Sequence, residues 1–473
     1  MKRALASIVV VSLLLAGCGA VPRPLAAPAV GGKFKSKSLR ASGSRFSEHH
    51  LLVRGNVSAA PPLPGITISQ RFADYQVHRL PAGMAIPDAL AAYQRAPGVT
   101  SVERLELFPV EQATPAPLPA LNPAVPQAPP SQFAVNDPRY GEQWSHVTTR
   151  VAEAWKVTTG RPEVVVATLD TGADFEHPDL LGQVINGPDL AEGKPDSRDI
   201  DMHGTHVAGI IVAKANNGLG GAGVAPGARV LALKVFEPYF EDGQFQGTYY
   251  NAVSLAKAIH YAATQGNAKI INISAGIADD ELVSSTLAFA RGRGLLVCVS
   301  AGNKGSNLYT GQAKYQDGVL SVHATDPMDR LARFSNFGHT LGVSAPGASI
   351  FSTIPTYPNP YTGQVPKGDG YASLNGTSMA SPFVAGVAAL AVSALLEALG
   401  RDSGAAGRGP AVTPAMIPAA LIEDLMRQAT VDLGLPGRDE TYGSGRVDAL
   451  KAVQLAQSPD WVARAGKSLR RLP

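Results

Sequence analysis

The hydrophobic and polar positions divide the chain into four stretches, each with its own pattern. Residues 4–16 form an apolar stretch near the N-terminus, and residues 48–110 combine short alternating runs with one helical period. Residues 111–135 have no periodic pattern and are rich in proline. From residue 136 to about 458, apolar runs of strand length alternate with longer stretches of helical period. That alternation predicts an α/β domain in which a mainly parallel sheet is doubly wound by helices.

The apolar stretch near the N-terminus predicts a signal for export. Lys2 and Arg3 precede it, and it is too short to cross a hydrocarbon core of about 30 Å as a helix. It ends Leu15-Ala16-Gly17-Cys18, which resembles the lipobox of bacterial lipoproteins. The resemblance implies a signal peptide at residues 1–17 and lipidation of Cys18, which would anchor the exported protein to a membrane. The alternative is an ordinary signal peptide that happens to end near a cysteine.

A small α+β unit is predicted over residues 48–110. One strand begins at Leu51-Leu52-Val53, and Tyr75–Leu80 alternates like a second strand. Pro87–Ala96 has the spacing of a short amphipathic helix, and Val99–Phe108 has the pattern of a further strand. The unit therefore has enough elements to fold around a small core of its own.

The segments around this unit are expected to be extended. Residues 18–47, rich in Pro, Ala, Ser and Lys, predict a flexible tether. Residues 111–135 predict a linker that cannot join a sheet, because proline lacks the N–H group that a ladder needs. An exposed linker of this kind would tolerate a maturation cut. At the other end of the chain, residues 459–473 are expected to form a C-terminal tail.

The composition excludes several classes of protein. The net charge is +3 and 17% of the residues are charged, so the chain lacks the clustered basic face of a nucleic-acid-binding protein. The two cysteines, Cys18 and Cys298, are too few for a disulfide framework. Cys298 lies within an apolar run and is expected to be a buried, unreactive thiol.

Three motifs carry the candidate chemistry, in the order Asp, His, Ser. They are Val165–Gly172, His203–Gly209 and Gly376–Pro382. A serine hydroxyl is a poor nucleophile at neutral pH and needs a neighbouring base that a third group orients. Asp170 ends a run of strand-forming residues, and Ser378 precedes a long Ala- and Leu-rich helical stretch. The partial positive charge at the start of that helix would favour a developing oxyanion.

Each motif also has a simpler interpretation. Ser378 could cap its helix, and His203 with His206 could supply two ligands of a metal site. The metal interpretation lacks a third ligand at a useful spacing. Asp170-Thr171-Gly172 also matches aspartic proteases, but these need two such carboxylates sharing a proton, and no second Asp-Thr-Gly occurs. The order of the three motifs favours serine chemistry.

Together the motifs closely resemble those of the subtilisin-like serine proteases, and residues 136–144 are similar to the opening of the thermitase-like members. Ser300–Gly305, which follows an apolar strand, resembles the oxyanion-hole segment of that family. The resemblance implies that Ser378 attacks the scissile carbonyl, that His203 moves the proton and that Asp170 orients His203. The side-chain amide of Asn303 and the Ser378 N–H would bind the oxyanion.

The resemblance extends to the N-terminal unit and to the substrate cleft. Ala92–Glu103 is similar to the end of subtilase prosegments, which implies that residues 48–110 inhibit the chain's own active site. Residues 136–458 would then form the subtilisin-like catalytic domain. Ile271–Gly276 resembles the edge strand that pairs with an extended peptide, and the insertion at residues 237–247 is expected to border a more distant subsite. The implied substrate-binding residues are Ser274, Ala275, Gly276, Ala301 and Gly302.

A structural calcium ion is also implied. The segment from Ala215 to Gly221 is similar to the calcium loop of the family, in which main-chain carbonyls and one Asn side chain are ligands. The implied ligands are Asp137, Asp179, Ala215, Asn217, Leu219 and Gly221. Oxygen ligands of this kind suit Ca²⁺ better than Zn²⁺. The alternative is an ordinary loop rich in Asn and Gly.

The sequence as a whole predicts a monomeric serine endopeptidase that is made as an autoprocessed zymogen. Its partners would be proteins or peptides bound in extended conformation, its own prosegment and, through the lipid on Cys18, a membrane. Nucleic acid is not an expected partner. The protein would be exported, and it would stay anchored to a membrane or become extracellular after release. The alternative is a catalytically silent surface lipoprotein that uses the same fold to bind peptides.

Overall fold

The structure, a computed structural model, describes most of the chain from Arg45 onwards. The described residues are 45–55, 63–110, 114–115, 135–277, 280–307, 319–338, 342–366, 368–406 and 412–469. The predicted signal peptide and Cys18 lie outside these ranges, as do most of the predicted tether and linker. All of the described residues belong to one unit, residues 38–473.

The N-terminal part is an antiparallel sheet with one helix. Its elements are β1 Arg45–Gly55, β2 Thr67–Phe72, β3 Tyr75–Arg79, α1 Ile86–Tyr93 and β4 Val99–Pro109. Successive residues of β1 point to opposite faces of the sheet. Leu51 and Val53 therefore pack with Tyr93 of α1, whereas Leu52 joins a cluster on the other face. The predicted strands and helix are present, and the polar strand β2 is an addition that the sequence pattern did not indicate.

The remaining elements alternate between strands and helices, as the sequence predicts. The strands are β5 Thr114–Pro115, β6 Val165–Asp170, β7 Val184–Asp189, β8 Arg229–Lys234, β9 Glu237–Glu241, β10 Gln244–Tyr250, β11 Ala268–Ile273, β12 Leu296–Ser300, β13 Leu320–Thr325, β14 Val343–Pro346, β15 Ile350–Thr353, β16 Tyr371–Asn375, β17 Thr430–Val431 and β18 Arg446–Val447. The α-helices are α2 Trp144–Thr148, α3 Val151–Ala154, α4 His203–Val212, α5 Ala252–Thr264, α6 Glu281–Gly292, α7 Thr377–Ala406, α8 Ala419–Gln428, α9 Ala449–Gln457 and α10 Pro459–Leu469. Short 3-10 helices cover Tyr140–Glu142 and Pro414–Met416.

A nine-stranded sheet lies at the centre of the fold. Its strand order is β17-β18-β14-β13-β12-β11-β6-β8-β7, and of the neighbouring pairs only β17 and β18 run antiparallel. In β6, Val165, Ala167 and Leu169 pack into a core that contains α5 and α6, whereas Val166 packs into a core that contains α4 and α7. Helices therefore cover both faces of the sheet, which confirms the doubly wound α/β fold.

Helix α7 is long and apolar enough to cross a membrane, but it lies inside the protein. It is the one described helix with this length and composition, and 89% of an 18-residue apolar window within Thr377–Gly400 is buried. Val384, Ala388 and Leu395 are among its side chains in the larger core. The composition of α7 therefore reflects its place at the centre of the fold.

A second sheet connects the N-terminal part to the rest of the molecule. Strand β4 pairs antiparallel with β10, and the six strands have the order β2-β3-β1-β4-β10-β9. The insertion predicted to border a distant subsite is thus a β9–β10 hairpin that extends the sheet of residues 45–110. Its pairing with β4 was not expected from the sequence.

Three sequence boundaries differ from the structure. Strand β1 begins at Arg45, inside the predicted tether, because Arg45 and Phe46 pair with Leu107 and Glu106 of β4. Thr114–Pro115 of the predicted linker forms a short strand on β16, and proline is tolerated there because it lies on an edge strand. The predicted tail contains α10, whose Trp461 is 2% exposed, since one face of the helix packs on the core.

Candidate active site

Asp170 and His203 meet at the carboxyl edge of the central sheet. Asp170 is the last residue of β6, and His203 is the first residue of α4. The Nδ1 atom of His203 lies 2.7 Å from Oδ1 of Asp170, and both side chains are buried. The same carboxylate oxygen accepts a hydrogen bond of 2.8 Å from the Thr171 main-chain N–H. Because Nδ1 donates to the carboxylate, Nε2 of the neutral ring is left to accept a proton.

A second carboxylate, Asp199, fixes the backbone around this pair. It accepts hydrogen bonds of 2.8 Å from the Thr171 hydroxyl and from the Thr205 N–H. The Thr171 hydroxyl oxygen in turn accepts the Gly204 N–H at 2.9 Å. A Cβ atom at Gly204 would lie 2.0 Å from the Gly172 carbonyl oxygen, so glycine alone permits this approach. The start of α4 and the end of β6 are therefore held together.

Ser378 lies in the first turn of α7, where the sequence predicts it. Its hydroxyl donates to the Ser274 carbonyl oxygen at 3.0 Å, and the Ser274 hydroxyl donates to the Ser378 carbonyl oxygen at 2.9 Å. Nε2 of His203 has no hydrogen-bond partner among the described residues. The expected hydrogen bond between Ser378 and His203 is therefore not formed in this conformation, and catalytic hydrogen bonds often tighten only in the complex with substrate.

Asn303 follows β12 and faces the start of α7. Its Oδ1 accepts hydrogen bonds from the Thr377 N–H at 2.8 Å and from the Thr377 hydroxyl at 2.9 Å. These two donors hold the side-chain oxygen of Asn303 against Thr377, so the Nδ2 group of Asn303 points away from Thr377. A Cβ atom on Gly376 would lie 3.6 Å from Nδ2 of Asn303 and 3.5 Å from the Ser378 nitrogen. The two expected oxyanion donors therefore flank the same glycine.

Carboxylates determine the charge of His203. Burial lowers the pKa of His203, but the contact with Asp170 and the nearby Asp201 and Asp199 outweigh it, and the net pKa is raised. The pKa of Asp201 is itself raised to about 6, first by burial and then by Asp199. These negative groups would stabilise the imidazolium ion that forms when His203 takes a proton.

The structure corrects the prediction that Ile271–Gly276 is an edge strand. Strand β11 ends at Ile273 and lies between β6 and β12 in the middle of the sheet, so both of its edges are occupied. Ser274–Gly276 leave the sheet beyond the carboxyl end of β11, and the Gly276 carbonyl oxygen accepts the Tyr250 hydroxyl. The other expected substrate residues, Ala301 and Gly302, follow the neighbouring strand β12.

The residues expected to bind calcium lie around the loop at residues 215–221. Asp137 accepts hydrogen bonds of 2.8–3.1 Å from the N–H groups of residues 216–218. Asp179 is fully buried, and it accepts the Asn217 side-chain amide at 2.7 Å and the Tyr371 hydroxyl at 3.2 Å. Its pKa is raised to about 6, first by burial, and Asp137 adds to the effect.

A cation would relieve the unfavourable charge of these two buried carboxylates. Carboxylates, an amide and the main-chain carbonyls of Ala215, Leu219 and Gly221 are hard oxygen donors, and their chemistry fits Ca²⁺. No cluster of three or more His, Cys, Asp or Glu side chains suited to a metal occurs in the described part of the chain. Any ion here would therefore depend on main-chain oxygens for part of its coordination.

Two further candidates, His206 and Cys298, belong to the core. His206 is fully buried, its Nε2 lies 3.1 Å from the Ala372 carbonyl oxygen, and burial lowers its pKa to about 3. Cys298 is also fully buried, and burial raises the pKa of its thiol. Asp-Ser-Gly, the variant of the aspartic-protease motif, was not expected in the sequence but occurs once, at residues 402–404, within α7 and not at the end of a strand. The aspartic-protease interpretation therefore gains no second carboxylate from them.

Sequence reasoning missed two residues that hold the candidate site in place, Thr377 and Asp199. The buried Thr377 hydroxyl accepts the Gly302 N–H at 3.0 Å and donates to Asn303, so it ties the segment after β12 to α7. Asp199 connects the loop before α4 to the end of β6. Their signals were local: a second hydroxyl residue beside Ser378, and an acidic residue four positions before His203.

The chain is similar to several known proteins. The profile of the subtilase family matches residues 161–445. The thermophilic serine proteinase of Bacillus sp. (strain AK1) is 40% identical over 279 residues, which cover 58% of this chain and 64% of that protein. Thermitase of Thermoactinomyces vulgaris is 34% identical over 324 residues, which cover 68% of this chain and 100% of thermitase.

Among solved structures, the chain is similar to fervidolysin from Fervidobacterium pennivorans, described as a keratinolytic enzyme related to subtilisin. The TM-score is 0.66 at 25% sequence identity, and the match covers 88% of this chain and 62% of fervidolysin. The chain thus spans slightly less than two thirds of the Bacillus proteinase and of fervidolysin, and the whole of thermitase.

Proposed function

The chain belongs to the subtilase family of serine proteases, and on that premise we propose that it is an exported serine endopeptidase made as an autoprocessed zymogen. The observation that supports the proposal most is the 2.7 Å contact between the buried side chains of Asp170 and His203. It lies at the end of β6, and Ser378 contacts Ser274 just beyond the end of the neighbouring strand β11. A carboxylate in this position holds the imidazole in the tautomer that can act as a base.

In the proposed reaction, the Ser378 hydroxyl breaks its hydrogen bond to the Ser274 carbonyl oxygen and rotates towards Nε2 of His203. As Oγ bonds to the scissile carbonyl carbon, its proton passes to Nε2, and the resulting imidazolium is stabilised by Asp170. The carbonyl oxygen becomes an oxyanion that accepts hydrogen bonds from Nδ2 of Asn303 and from the Ser378 N–H. Nε2 then gives its proton to the leaving amine, and water releases the acyl group by the same steps in reverse.

Residues 45–110 are proposed to be the inhibitory prosegment, with the maturation cut between Val110 and Thr114. On one side of this interval, the Val110 N–H donates to the Thr248 carbonyl oxygen of β10 at 3.0 Å. On the other side, Thr114 pairs with Asn375, three residues before Ser378. The chain is thus held on β10 and on β16 within four residues, which favours cleavage between the two contacts.

Three further elements complete the proposal. A structural Ca²⁺ ion held by Asp137, Asp179, Asn217 and main-chain carbonyls of the 215–221 loop would stabilise the folded state by mass action and would take no part in the chemistry. Lipidation of Cys18 would anchor the exported protein to a membrane, in keeping with the Leu15-Ala16-Gly17-Cys18 sequence. Substrates would be proteins or peptides bound in extended conformation by Ser274–Gly276.

Self-processing tests this proposal. Residues 19–473 of the wild type and of Ser378→Ala would be produced with calcium, and their masses followed over time. The proposal predicts that the wild type alone is cut between Val110 and Thr114 and then digests casein. A peptide-binding lipoprotein without catalytic activity would leave both proteins at full length, and that result would reject the enzymatic role.

A further inference from the structure

The order of the segments has a consequence for where the mature enzyme is held. Cys18 lies before the prosegment in the sequence, and the interval between Val110 and Thr114 lies after it. A cut in that interval leaves the lipid on the fragment with the prosegment and none on the fragment with Asp170, His203 and Ser378. Cleavage therefore removes every covalent link between the catalytic domain and the lipid.

The two fragments share a continuous sheet. Phe108 and Pro109 of β4 pair with Tyr250 and Tyr249 of β10, and the rings of Phe108 and Tyr250 stack with their centroids 5.1 Å apart. The Tyr250 hydroxyl reaches the Gly276 carbonyl oxygen in the proposed peptide-binding segment. The strand that holds the prosegment is therefore directly connected to the substrate side of the active site.

An apolar layer lies behind this strand pair. Side chains of the prosegment sheet and of α5, α6 and β10 form one cluster, and every member is at most 8% exposed. Its members are Leu52, Tyr75, Val77, Leu105, Leu107, Tyr249, Val253, Ala256 and Leu282. Separation of the fragments would expose both halves of this cluster to water, so the hydrophobic effect opposes it.

Polar contacts surround the apolar layer. Arg54 of β1 lies 2.9 Å from Glu281 of α6, and Arg45 lies 3.3 Å from Glu241 of the β9–β10 hairpin. The Gln70 side-chain amide donates to the Ala191 carbonyl oxygen at 3.0 Å. We call the β4–β10 pair, the apolar cluster and these three contacts the prosegment interface. None of these contacts requires the chain between residues 110 and 114 to be intact.

We propose that the prosegment interface is the non-covalent membrane anchor of the mature enzyme. After cleavage, the lipid-bearing fragment holds the catalytic fragment at the membrane, and its strand β4 stays paired with β10, whose Tyr250 contacts the peptide-binding segment. Dissociation of the interface is then a single event that both activates the protease and releases it from the membrane. This inference rests on the proposed lipidation of Cys18 and on the proposed maturation cut.

The test follows both fragments of the full chain in a bacterial host that processes lipoproteins. Cells are separated into membrane and soluble fractions, the fragments are identified by mass, and peptidase activity is measured in each fraction. We expect both wild-type fragments in the membrane fraction with little activity. A wash in mild urea should release the catalytic fragment, while the prosegment fragment stays in the membrane fraction. Once the urea is diluted, the released fragment should show higher activity than it had before the wash. In Cys18→Ser, both fragments should be soluble.

Interface variants test the role of the contacts. Leu282→Ala removes a buried side chain on the catalytic side, and Phe72→Ala removes a prosegment ring that lies 5.4 Å from His260 of α5. Either should increase the released, active catalytic fragment about tenfold or more, since each 1.4 kcal/mol changes a dissociation constant tenfold. Leu435→Ala is the matched control, because Leu435 is 72% exposed and lies outside the prosegment interface. Phe72→Ala keeps the test decisive if Leu282→Ala does not fold.

Two results would overturn the inference. The catalytic fragment could appear in the soluble fraction as soon as the cut is made, or it could remain in the membrane fraction after the prosegment fragment has been released. Failure of the proposed function gives a different signature, a wild type that stays at full length or carries an unmodified Cys18. The inference falls in that case too, but the masses identify which premise failed.

Discussion

Replacement of Thr377 by valine tests how far the site depends on a residue outside the expected triad. Valine keeps the shape of the side chain but removes the hydroxyl that accepts the Gly302 N–H at 3.0 Å and donates to Asn303 at 2.9 Å. Thr377 is fully buried, so the Gly302 N–H would lose its partner away from water. A buried unpaired donor costs about 1–3 kcal/mol, which should lower the melting temperature.

The catalytic effect of Thr377→Val follows from the freedom that Asn303 gains. With one of its two holding donors lost, the amide would spend less time with Nδ2 beside the Ser378 N–H. We expect kcat to fall about tenfold, which corresponds to about 1.4 kcal/mol of transition-state stabilisation, with little change in KM. Thr377→Ser is the control, because it keeps the hydroxyl and should restore most of kcat.

Steady-state kinetics on a peptide substrate, with a thermal melt of each protein, measure both effects. A valine variant that loses melting temperature but keeps the wild-type kcat would refute the reasoning, since Thr377 would then be only structural. A serine variant as slow as the valine variant would also refute it, because the hydroxyl would not be the group that matters.

Four other predictions concern charge and metal. Asp170→Asn should lower kcat by about 10⁴, because the amide favours the wrong His203 tautomer; steady-state rates check this, and a fall below tenfold would contradict it. The pKa of His203 is raised, and only the neutral ring can accept a proton. We therefore expect kcat/KM to decline as the pH falls through a midpoint above 6.5. A pH–rate profile with a midpoint below 6.5 would contradict the proposed effect of the neighbouring carboxylates on His203. Chelation of calcium should lower the melting temperature of the wild type, and Asp179→Asn should remove that dependence; an equal response of both proteins to chelation would exclude Asp179 as a ligand. Because the pKa of Asp179 is raised to about 6, calcium binding measured by titration should weaken as the pH falls through that value.

The fold was largely predictable because its signals are local and periodic. The run that ends in Asp170 is a buried strand, and the Ala- and Leu-rich stretch after Ser378 is the buried helix α7. Apolar runs of strand length between helical stretches indicate a parallel sheet wherever they occur. The contact of Asp170 with His203 was implied by the resemblance of their motifs to those of the subtilisin-like proteases, although the residues are 33 positions apart.

The missed features depend on tertiary contacts that periodicity does not report. The segment Ile271–Gly276 was expected to be an edge strand, but strand order is decided by which strands pair, and β11 has a neighbouring strand on each side. The β9–β10 hairpin was expected near a subsite, yet its partner is β4, more than a hundred residues earlier in the chain. Thr377 and Asp199 act through hydrogen bonds to residues from other segments, so their own sequence surroundings gave little indication of their role.

Covalent labelling of Ser378 tests the central claim most directly. The mature enzyme, separated from its prosegment, would be treated with a peptidyl phosphonate, and the modified residue located by mass spectrometry. The account predicts one adduct, on the Ser378 hydroxyl of the wild type, and none in Ser378→Ala or His203→Ala. A folded wild type that binds peptides but carries no adduct on Ser378, or carries it on another residue, would contradict the account.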